Sequence, residues 1–196
     1  MSKVIVTDMD DVLIHLLPAW LDYLNNKYNT TVKYEDVVEW DMQKAFPSLL
    51  PKQIYEPLTE EDLWKSVKPI KESITYLKKL YDEGYTIYVC TSAHYNTIKI
   101  KLINALFPNY PFLDYKNIIT CHDKSLIKCD YIIDDYHENL KNNDAIKILI
   151  DAPYNKNADK LTYDFRAKSF KEVYQIIHEF EQLSEKLSNS WSKMTK

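Results

Sequence analysis

Short apolar runs alternate with amphipathic segments along the chain. The first run, residues 4–6, is β-branched and predicts a buried strand. Later runs predict further strands at residues 85–90, 117–121, 131–133 and 145–150, and a weaker one at 163–167. A loop at 151–155 follows the fifth strand. Because helical patterns separate these strands, we expect an α/β fold with a doubly wound, mainly parallel sheet.

Apolar residues at helical spacing predict the intervening helices. Leu16, Trp20 and Leu24 mark the first, and Pro18 predicts that this helix begins or kinks nearby. A second helix carries a stripe that Gly84 should terminate as a C-cap. Two more stripes predict a helix before Pro108 and a long final helix.

Residues 32–68 break this alternation. Short helical fragments at 34–40, 53–55 and 60–67 are separated by prolines and rich in large aromatic residues. We therefore predict a small helical cap, residues 18–68, inserted into a core formed by residues 1–17 and 69–196. Trp40, Tyr55 and Trp64 are candidates to line a pocket for a flat ligand. The alternative is that they form a small core of the cap itself.

The composition and charge of the chain exclude several classes of function. A length of 196 residues, 45% hydrophobic and 28% charged, predicts one globular domain with a modest insertion. The single glycine excludes a Gly-rich phosphate loop. A net charge of −4 without a basic tract argues against stable nucleic-acid binding. Three cysteines without metal-site spacing predict reduced thiols, and the lack of a leader-like or membrane-length apolar run predicts a soluble, cytoplasmic protein.

Three of the predicted strands end in polar residues. In chain order these are Asp8 and Asp10, then Thr91 and Ser92, then Asp134 and Asp135. The carboxyl ends of parallel strands face one edge of the sheet, where ligands bind. Asp8 and Asp10 are two apart and point to the same side, so they repel each other unless a cation or a shared proton compensates their charge. Oxygen-ligated Mg²⁺ suits such a group.

The strand followed by Asp8-Met9-Asp10 and Val12 resembles the first motif of the haloacid dehalogenase phosphohydrolases. The resemblance implies that Asp8 is the nucleophile and Asp10 the general acid and base. It also implies that Thr91 and Ser92 bind phosphate. The implied Mg²⁺ ligands are Asp8, Asp10 (through its carbonyl oxygen), Asp134 and Asp135, with Asp135 favoured as the direct ligand and Asp134 orienting metal waters.

The lysine of this superfamily's third motif has two candidates. Lys99 lies on the helix after Thr91, as in the nucleotidase branch, and Lys124 lies before the fourth strand, as in other branches. We favour Lys99 as the phosphate-binding lysine and interpret Lys101 as an ordinary solvated lysine.

The whole pattern is similar to the 5′(3′)-deoxyribonucleotidases and their bacterial and phage relatives. This similarity implies a nucleotide substrate, with Trp40 and Tyr55 near the base-stacking aromatic residues. Leu16 stands where that family often has Phe, His122 where human-type enzymes have Arg, and Asp11 where glycine is usual. These departures leave base and sugar preference open.

We therefore expect a Mg²⁺-dependent phosphatase that hydrolyses (deoxy)nucleoside monophosphates through an aspartyl-phosphate. A phosphatase for another small phosphate, such as a sugar phosphate, is the alternative. A phospho-accepting signalling domain is more remote, because the third strand ends in Thr120-Cys121 without an aspartate. Whether the protein forms a homodimer stays open.

Overall fold

The computed structural model describes residues 2–194 and contains a six-stranded sheet in which every neighbouring pair is parallel. The strands are β1 (Val4–Thr7), β2 (Thr86–Thr91), β3 (Ile118–Thr120), β4 (Tyr131–Asp134), β5 (Ile146–Ile150) and β6 (Phe165–Ala167). Their order in the sheet is β3-β2-β1-β4-β5-β6. The predicted α/β class and all six predicted strands are confirmed, each to within two residues at either end.

Helices connect the strands and cover the sheet. They are α1 (Leu16–Tyr28), α2 (Met42–Ala45), α3 (Pro51–Tyr55), α4 (Glu61–Ser66), α5 (Lys71–Asp82), α6 (Tyr95–Lys101), α7 (His137–Leu140) and α8 (Phe170–Met194). A π-helical turn, Leu102–Leu106, continues α6. Short 3₁₀ turns include Tyr34–Asp36, Lys124–Leu126 and Pro153–Asn155.

The predicted positions of Pro18 near a helix start and of Gly84 at a helix end are confirmed. Pro18 occupies the first turn of α1, where its missing N–H leaves no hydrogen bond unmade. Gly84 follows α5 with φ +93°, a left-handed conformation that suits glycine. The Tyr85 and Gly84 amides donate to the carbonyls of Leu80 and Tyr81, which closes the last turn of α5.

Residues between β1 and β2 form a second apolar cluster beside the main core. Trp20, Leu24, Phe46 and Ile54 are central to it. Tyr154, from the loop after β5, also packs there, so the cluster joins the cap segment to the sheet. The helical fragments predicted at 53–55 and 60–67 are present, whereas 34–40 contains only the 3₁₀ turn Tyr34–Asp36. The boundaries 17/18 and 68/69, and the core range ending at 196 beyond the described residues, stay predictions.

The main core lies on the sheet. Ile5, Ile133 and Ile148 from three adjacent strands are inaccessible to solvent, and Leu77 and Ile177 pack on them from α5 and α8. None of the helices between residues 2 and 194 combines the length and apolarity needed to cross a bilayer.

Candidate active site

The sheet order brings the three polar strand ends together. β1 lies between β2 and β4, so Asp8, Thr91 and Asp134 follow or end three adjacent strands at one edge. All three are buried, and the Asp8 amide donates to the carbonyl of Ile133 at 2.8 Å. The sequence-based expectation that these ends converge is confirmed.

Lys124 joins two of these carboxylates. Its ammonium forms ion pairs with Asp8 and, at 2.5 Å, with Asp134, and its side chain is 1% exposed. Burial acts to lower the pKa of Lys124, but Asp134 and Asp8 together raise it. Lys124 is therefore held as a cation beside the predicted nucleophile.

Lys99, the favoured candidate, lies on an exposed face of α6 instead. Since Lys124 contacts Asp8 directly, the structure supports Lys124 as the third-motif lysine in place of Lys99. The physical reason is the 3₁₀ turn Lys124–Leu126, which is fixed by Asp123 and by Asn143 and directs the lysine inward.

The interpretation of Lys101 as a solvated lysine is wrong. Its side chain is 1% exposed, pairs with Asp10 and donates to the Thr91 hydroxyl at 2.5 Å. The ammonium also lies 5.4 Å from the centre of the Trp64 ring. Lys101 is the last residue of α6, directly before the π-helical turn, and lies two residues beyond the exposed Lys99.

Within residues 2–194, only one of the two carboxylate oxygens of Asp10 has a hydrogen-bond partner. One of its oxygens pairs with Lys101, and the other, Oδ1, is buried without a hydrogen-bond partner in the described part of the chain. Burial raises the pKa of Asp10, and the Asp8 charge raises it further, although Lys101 opposes the shift. A carboxyl that holds its proton more readily suits a general acid.

Asp134 and Asp135 differ in their surroundings. Asp134 accepts from Lys124, from the Tyr136 amide at 2.9 Å and from the Asn139 amide group, so its oxygens are occupied. Burial raises its pKa to about 6. Asp135 is 1% exposed, and burial together with Asp134 and Asp8 raises its pKa well above the usual range. Its Oδ2 accepts from the Tyr154 hydroxyl.

Asp11 stands where the family resemblance implies a glycine, and its backbone conformation is one that glycine adopts readily. Its φ is +54°, in the left-handed region that glycine and, less readily, aspartate adopt. Both carboxylate oxygens accept from the Leu17 amide, at 3.0 and 3.1 Å. Asp11 thereby caps the N-terminus of α1 from a distance of six residues.

An apolar cavity of about 210 Å³ adjoins Asp10. The predicted substrate-binding residues Leu16, Trp40 and Tyr55 all line it, and Ser92 lies at the same cavity. Trp40 stacks on Tyr136 with ring centres 4.7 Å apart and meets Tyr154 edge-on at 5.1 Å. Both Trp40 (49%) and Tyr55 (41%) remain partly exposed.

Trp64 does not line this cavity. It is 2% exposed, belongs to the main core, and donates its indole N–H to the Leu58 carbonyl at 2.8 Å. Trp64 therefore belongs neither to the cavity wall nor to a separate core of the cap, because it packs into the main core. His122, at the human-type arginine position, lies 3.3 Å from the Ser92 hydroxyl through Nδ1.

The donor set fits a magnesium ion. Within residues 2–194 no three histidine, cysteine or carboxylate side chains form a metal cluster of their own. Mg²⁺ needs fewer: it takes one or two carboxylates and completes its shell with water and substrate phosphate oxygens. Asp8 and Asp135 can supply the carboxylates, and the buried Oδ1 of neighbouring Asp10 has no hydrogen-bond partner among the described residues.

Comparison with known proteins identifies the family. Residues 2–183 match the family model described as 5′-nucleotidase, deoxy (pyrimidine), cytosolic type C protein. The chain belongs to this family. The suspected relationship is confirmed, and with it the expectation of a phosphatase of the nucleotidase type.

Individual relatives agree with the family assignment. The chain is 34% identical over 175 residues to a 5′(3′)-deoxyribonucleotidase of Bacillus subtilis, covering 88% of this chain and 97% of that protein. A 5′(3′)-deoxyribonucleotidase of Clostridium acetobutylicum is 32% identical over 168 residues, covering 85% and 89%. A haloacid dehalogenase-like hydrolase from Streptococcus pneumoniae shares the fold, with a TM-score of 0.64, 16% identity and coverage of 90% and 98%.

Sequence reasoning missed two residues of the site. Lys101 lies two positions after Lys99 and so faces the opposite side of α6, but helical spacing alone does not show which side faces the site. Tyr154 gave no signal, since it lies in a 3₁₀ turn whose direction no periodicity predicts.

Proposed function

We propose that this protein is a Mg²⁺-dependent phosphomonoesterase that hydrolyses (deoxy)nucleoside monophosphates. One observation carries the proposal: Asp10, beside the predicted nucleophile, lines the same apolar cavity as Trp40 and Tyr55. Phosphate chemistry therefore adjoins a space walled by aromatic rings, which suits a nucleobase better than the hydroxyl groups of a sugar. The names of the bacterial relatives support the same substrate class.

Asp8 supplies the nucleophile in this proposal. One of its carboxylate oxygens attacks phosphorus, the bond from phosphorus to the sugar oxygen breaks, and an aspartyl-phosphate forms. Lys124, paired with Asp8 and Asp134, holds a positive charge next to the reacting oxygens. Thr91 is fixed by Lys101 and offers its hydroxyl toward phosphate, and Ser92 is the neighbouring candidate.

In this proposal Asp10 acts first as the general acid and then as the general base. It gives its proton to the departing sugar oxygen and then takes one from the water that attacks the aspartyl-phosphate, which restores both carboxyl groups. The raised pKa of Asp10 favours the first step, and Lys101 favours the ionised form needed for the second.

Asp8, the Asp10 carbonyl oxygen and Asp135 would hold Mg²⁺, with Asp134 beside them. When bound, the ion supplies charge neutralisation for the phosphoryl group.

A phosphate-release screen tests the proposal. The substrates are ribo- and deoxyribonucleoside 5′- and 3′-monophosphates and a set of sugar phosphates, each with Mg²⁺ and with a chelator. We expect Mg²⁺-dependent release from nucleotides and none from Asp8→Asn. A higher kcat/KM for sugar phosphates than for every nucleotide would contradict the assigned substrate class, and full activity in Asp8→Asn would contradict the nucleophile.

A further inference from the structure

The loop after β5 also reaches the candidate site. Its 3₁₀ turn Pro153–Asn155 places Tyr154 between Asp135 and the cavity. The Tyr154 hydroxyl donates to Asp135 Oδ2, while its ring meets Trp40 at 5.1 Å. Tyr154 is 9% exposed, so one buried side chain contacts both a candidate metal ligand and a candidate base-stacking residue.

Asp135 depends on this contact more than its neighbour does. Asp134 has a lysine, a backbone amide and a side-chain amide as donors. For the Asp135 carboxylate, the Tyr154 hydroxyl is the one donor found among residues 2–194. A carboxylate with so few partners can rotate unless that hydroxyl fixes it.

The turn itself is held rigidly. Asn155 is 1% exposed, and its side-chain amide donates to the carbonyls of Asp135 and Ile150, both at 2.7 Å. Arg166, the one arginine in the sequence, donates to the Asn155 carbonyl at 2.6 Å and pairs with Asp151 at 3.2 Å. These bonds tie the turn to β4, β5 and β6, so the Tyr154 hydroxyl has a fixed position relative to Asp135.

We propose that Tyr154 is a positioning residue, whose hydroxyl fixes the Asp135 carboxylate for Mg²⁺ and whose ring forms a wall of the nucleoside cavity. The inference rests on the proposed function for the identity of the cation and the substrate. Groups that hydrogen-bond a metal ligand from outside typically contribute 10–100-fold to metal affinity.

Tyr154→Phe separates the two roles, because it removes the hydroxyl and keeps the ring. The apparent Mg²⁺ dissociation constant is measured from the rise in Tm with Mg²⁺ concentration, without substrate. We expect about a 10–100-fold weaker Mg²⁺ affinity in Tyr154→Phe, and a KM for a nucleoside monophosphate at saturating Mg²⁺ close to that of the parent. Tyr154→Leu removes the ring as well and should raise that KM too.

Tyr23→Phe is the matched control. The Tyr23 hydroxyl also donates to a carboxylate, Glu60 at 2.5 Å, but in the cap segment away from Asp135. Its Mg²⁺ affinity should equal that of the parent.

Three outcomes would overturn the inference: unchanged Mg²⁺ affinity in Tyr154→Phe, an equal loss in Tyr23→Phe, or no Mg²⁺ response in the parent protein. A lower Mg²⁺-free Tm alone would show a structural role instead. If the parent binds Mg²⁺ but releases no phosphate from nucleotides, the proposed function fails, while the affinity comparison still decides the role of Tyr154.

Discussion

At the level of single residues, two buried lysines pair with carboxylates of the site. Lys124 pairs with Asp8 and Lys101 with Asp10, so each carboxylate proposed to react has its own cation. Both lysine side chains are 1% exposed, and a buried charge is tolerated when it is paired and hydrogen-bonded. The same ion pairs that would assist the proposed reaction therefore also stabilise the site.

Lys124→Ala should lower kcat for phosphate release by about 10²–10³-fold, the usual loss when one stabilising donor is removed. It also leaves Asp8 and Asp134 unpaired, which should destabilise the fold by about 3–5 kcal/mol. Lys99→Ala is the matched control, since Lys99 is exposed on α6. Steady-state kinetics and urea unfolding measure both effects. A larger kinetic loss in Lys99→Ala would return the third-motif role to that residue.

Asp11 offers a second residue-level test. Both Asp11→Gly and Asp11→Ala remove the carboxylate that caps α1, a loss of about 0.5–2 kcal/mol. Alanine also resists the positive φ at this position, at a cost of about 1–2 kcal/mol that exceeds the extra chain entropy of glycine. We therefore expect Asp11→Ala to be the less stable variant in urea unfolding. Equal stability would mean that the backbone relaxes out of the left-handed region.

The sequence predicted which carboxylates gather but not which lysines join them. Asp8, Thr91 and Asp134 are placed by strand ends, and parallel strands share an edge whatever their order. Lys101 and Lys124 are placed by the rotation of a helix end and by a 3₁₀ turn. A shift of one residue in either changes which side chain points inward, and hydrophobic periodicity does not resolve such a shift.

At the level of elements, the aromatic residues of the segment between β1 and β2 occupy two different environments, the main core and the cavity wall. Trp64 on α4 packs into the main core, whereas Trp40, in the loop before α2, faces the cavity. The aromatic density of this segment did not separate them in sequence, because density alone does not distinguish a core from a pocket wall; only the family resemblance favoured Trp40 and Tyr55 over Trp64. The fragments at 53–55 and 60–67 were predictable from the prolines that separate them, but 34–40 holds only a 3₁₀ turn, and the four-residue helix α2 was not predicted.

Trp40→Ala should raise KM for a nucleoside monophosphate by about 10–100-fold, because a stacked base contributes about 1–3 kcal/mol. Hydrolysis of para-nitrophenyl phosphate, whose small ring does not reach the cavity, should barely change. Trp64→Phe is the contrasting variant and should lower the free energy of unfolding by about 1–3 kcal/mol, through lost packing and a lost hydrogen bond to Leu58. Equal losses on both substrates with a lowered Tm in Trp40→Ala would assign Trp40 to the core as well.

For the whole molecule, the sheet order concentrates negative charge at one edge. β1 and β4 are neighbours, so Asp8, Asp10 and Asp11 meet Asp134 and Asp135. Two lysines face these five carboxylates, and Asp135 forms no ion pair within residues 2–194. The fold therefore gathers more carboxyl groups than lysines where the proposed cation would bind, and binding should stabilise the whole protein.

Mg²⁺ should accordingly raise the Tm of the parent protein. At an Mg²⁺ concentration about 100 times the dissociation constant, the free energy of unfolding rises by about 2.7 kcal/mol, which corresponds to about 5–10 °C in Tm for a domain of this size.

Asp135→Asn removes a buried carboxylate that has no lysine partner and whose pKa is raised by burial and by Asp134 and Asp8. This variant should be more stable than the parent in the presence of a chelator and should respond much less to Mg²⁺. Differential scanning calorimetry with and without Mg²⁺ measures both changes, and Glu185→Gln, an exposed substitution on α8, controls for the loss of one negative charge. A full Mg²⁺ response in Asp135→Asn would mean that the ion binds elsewhere. A variant that is less stable than the parent without Mg²⁺ would mean that repulsion among these carboxylates does not limit the stability of the fold.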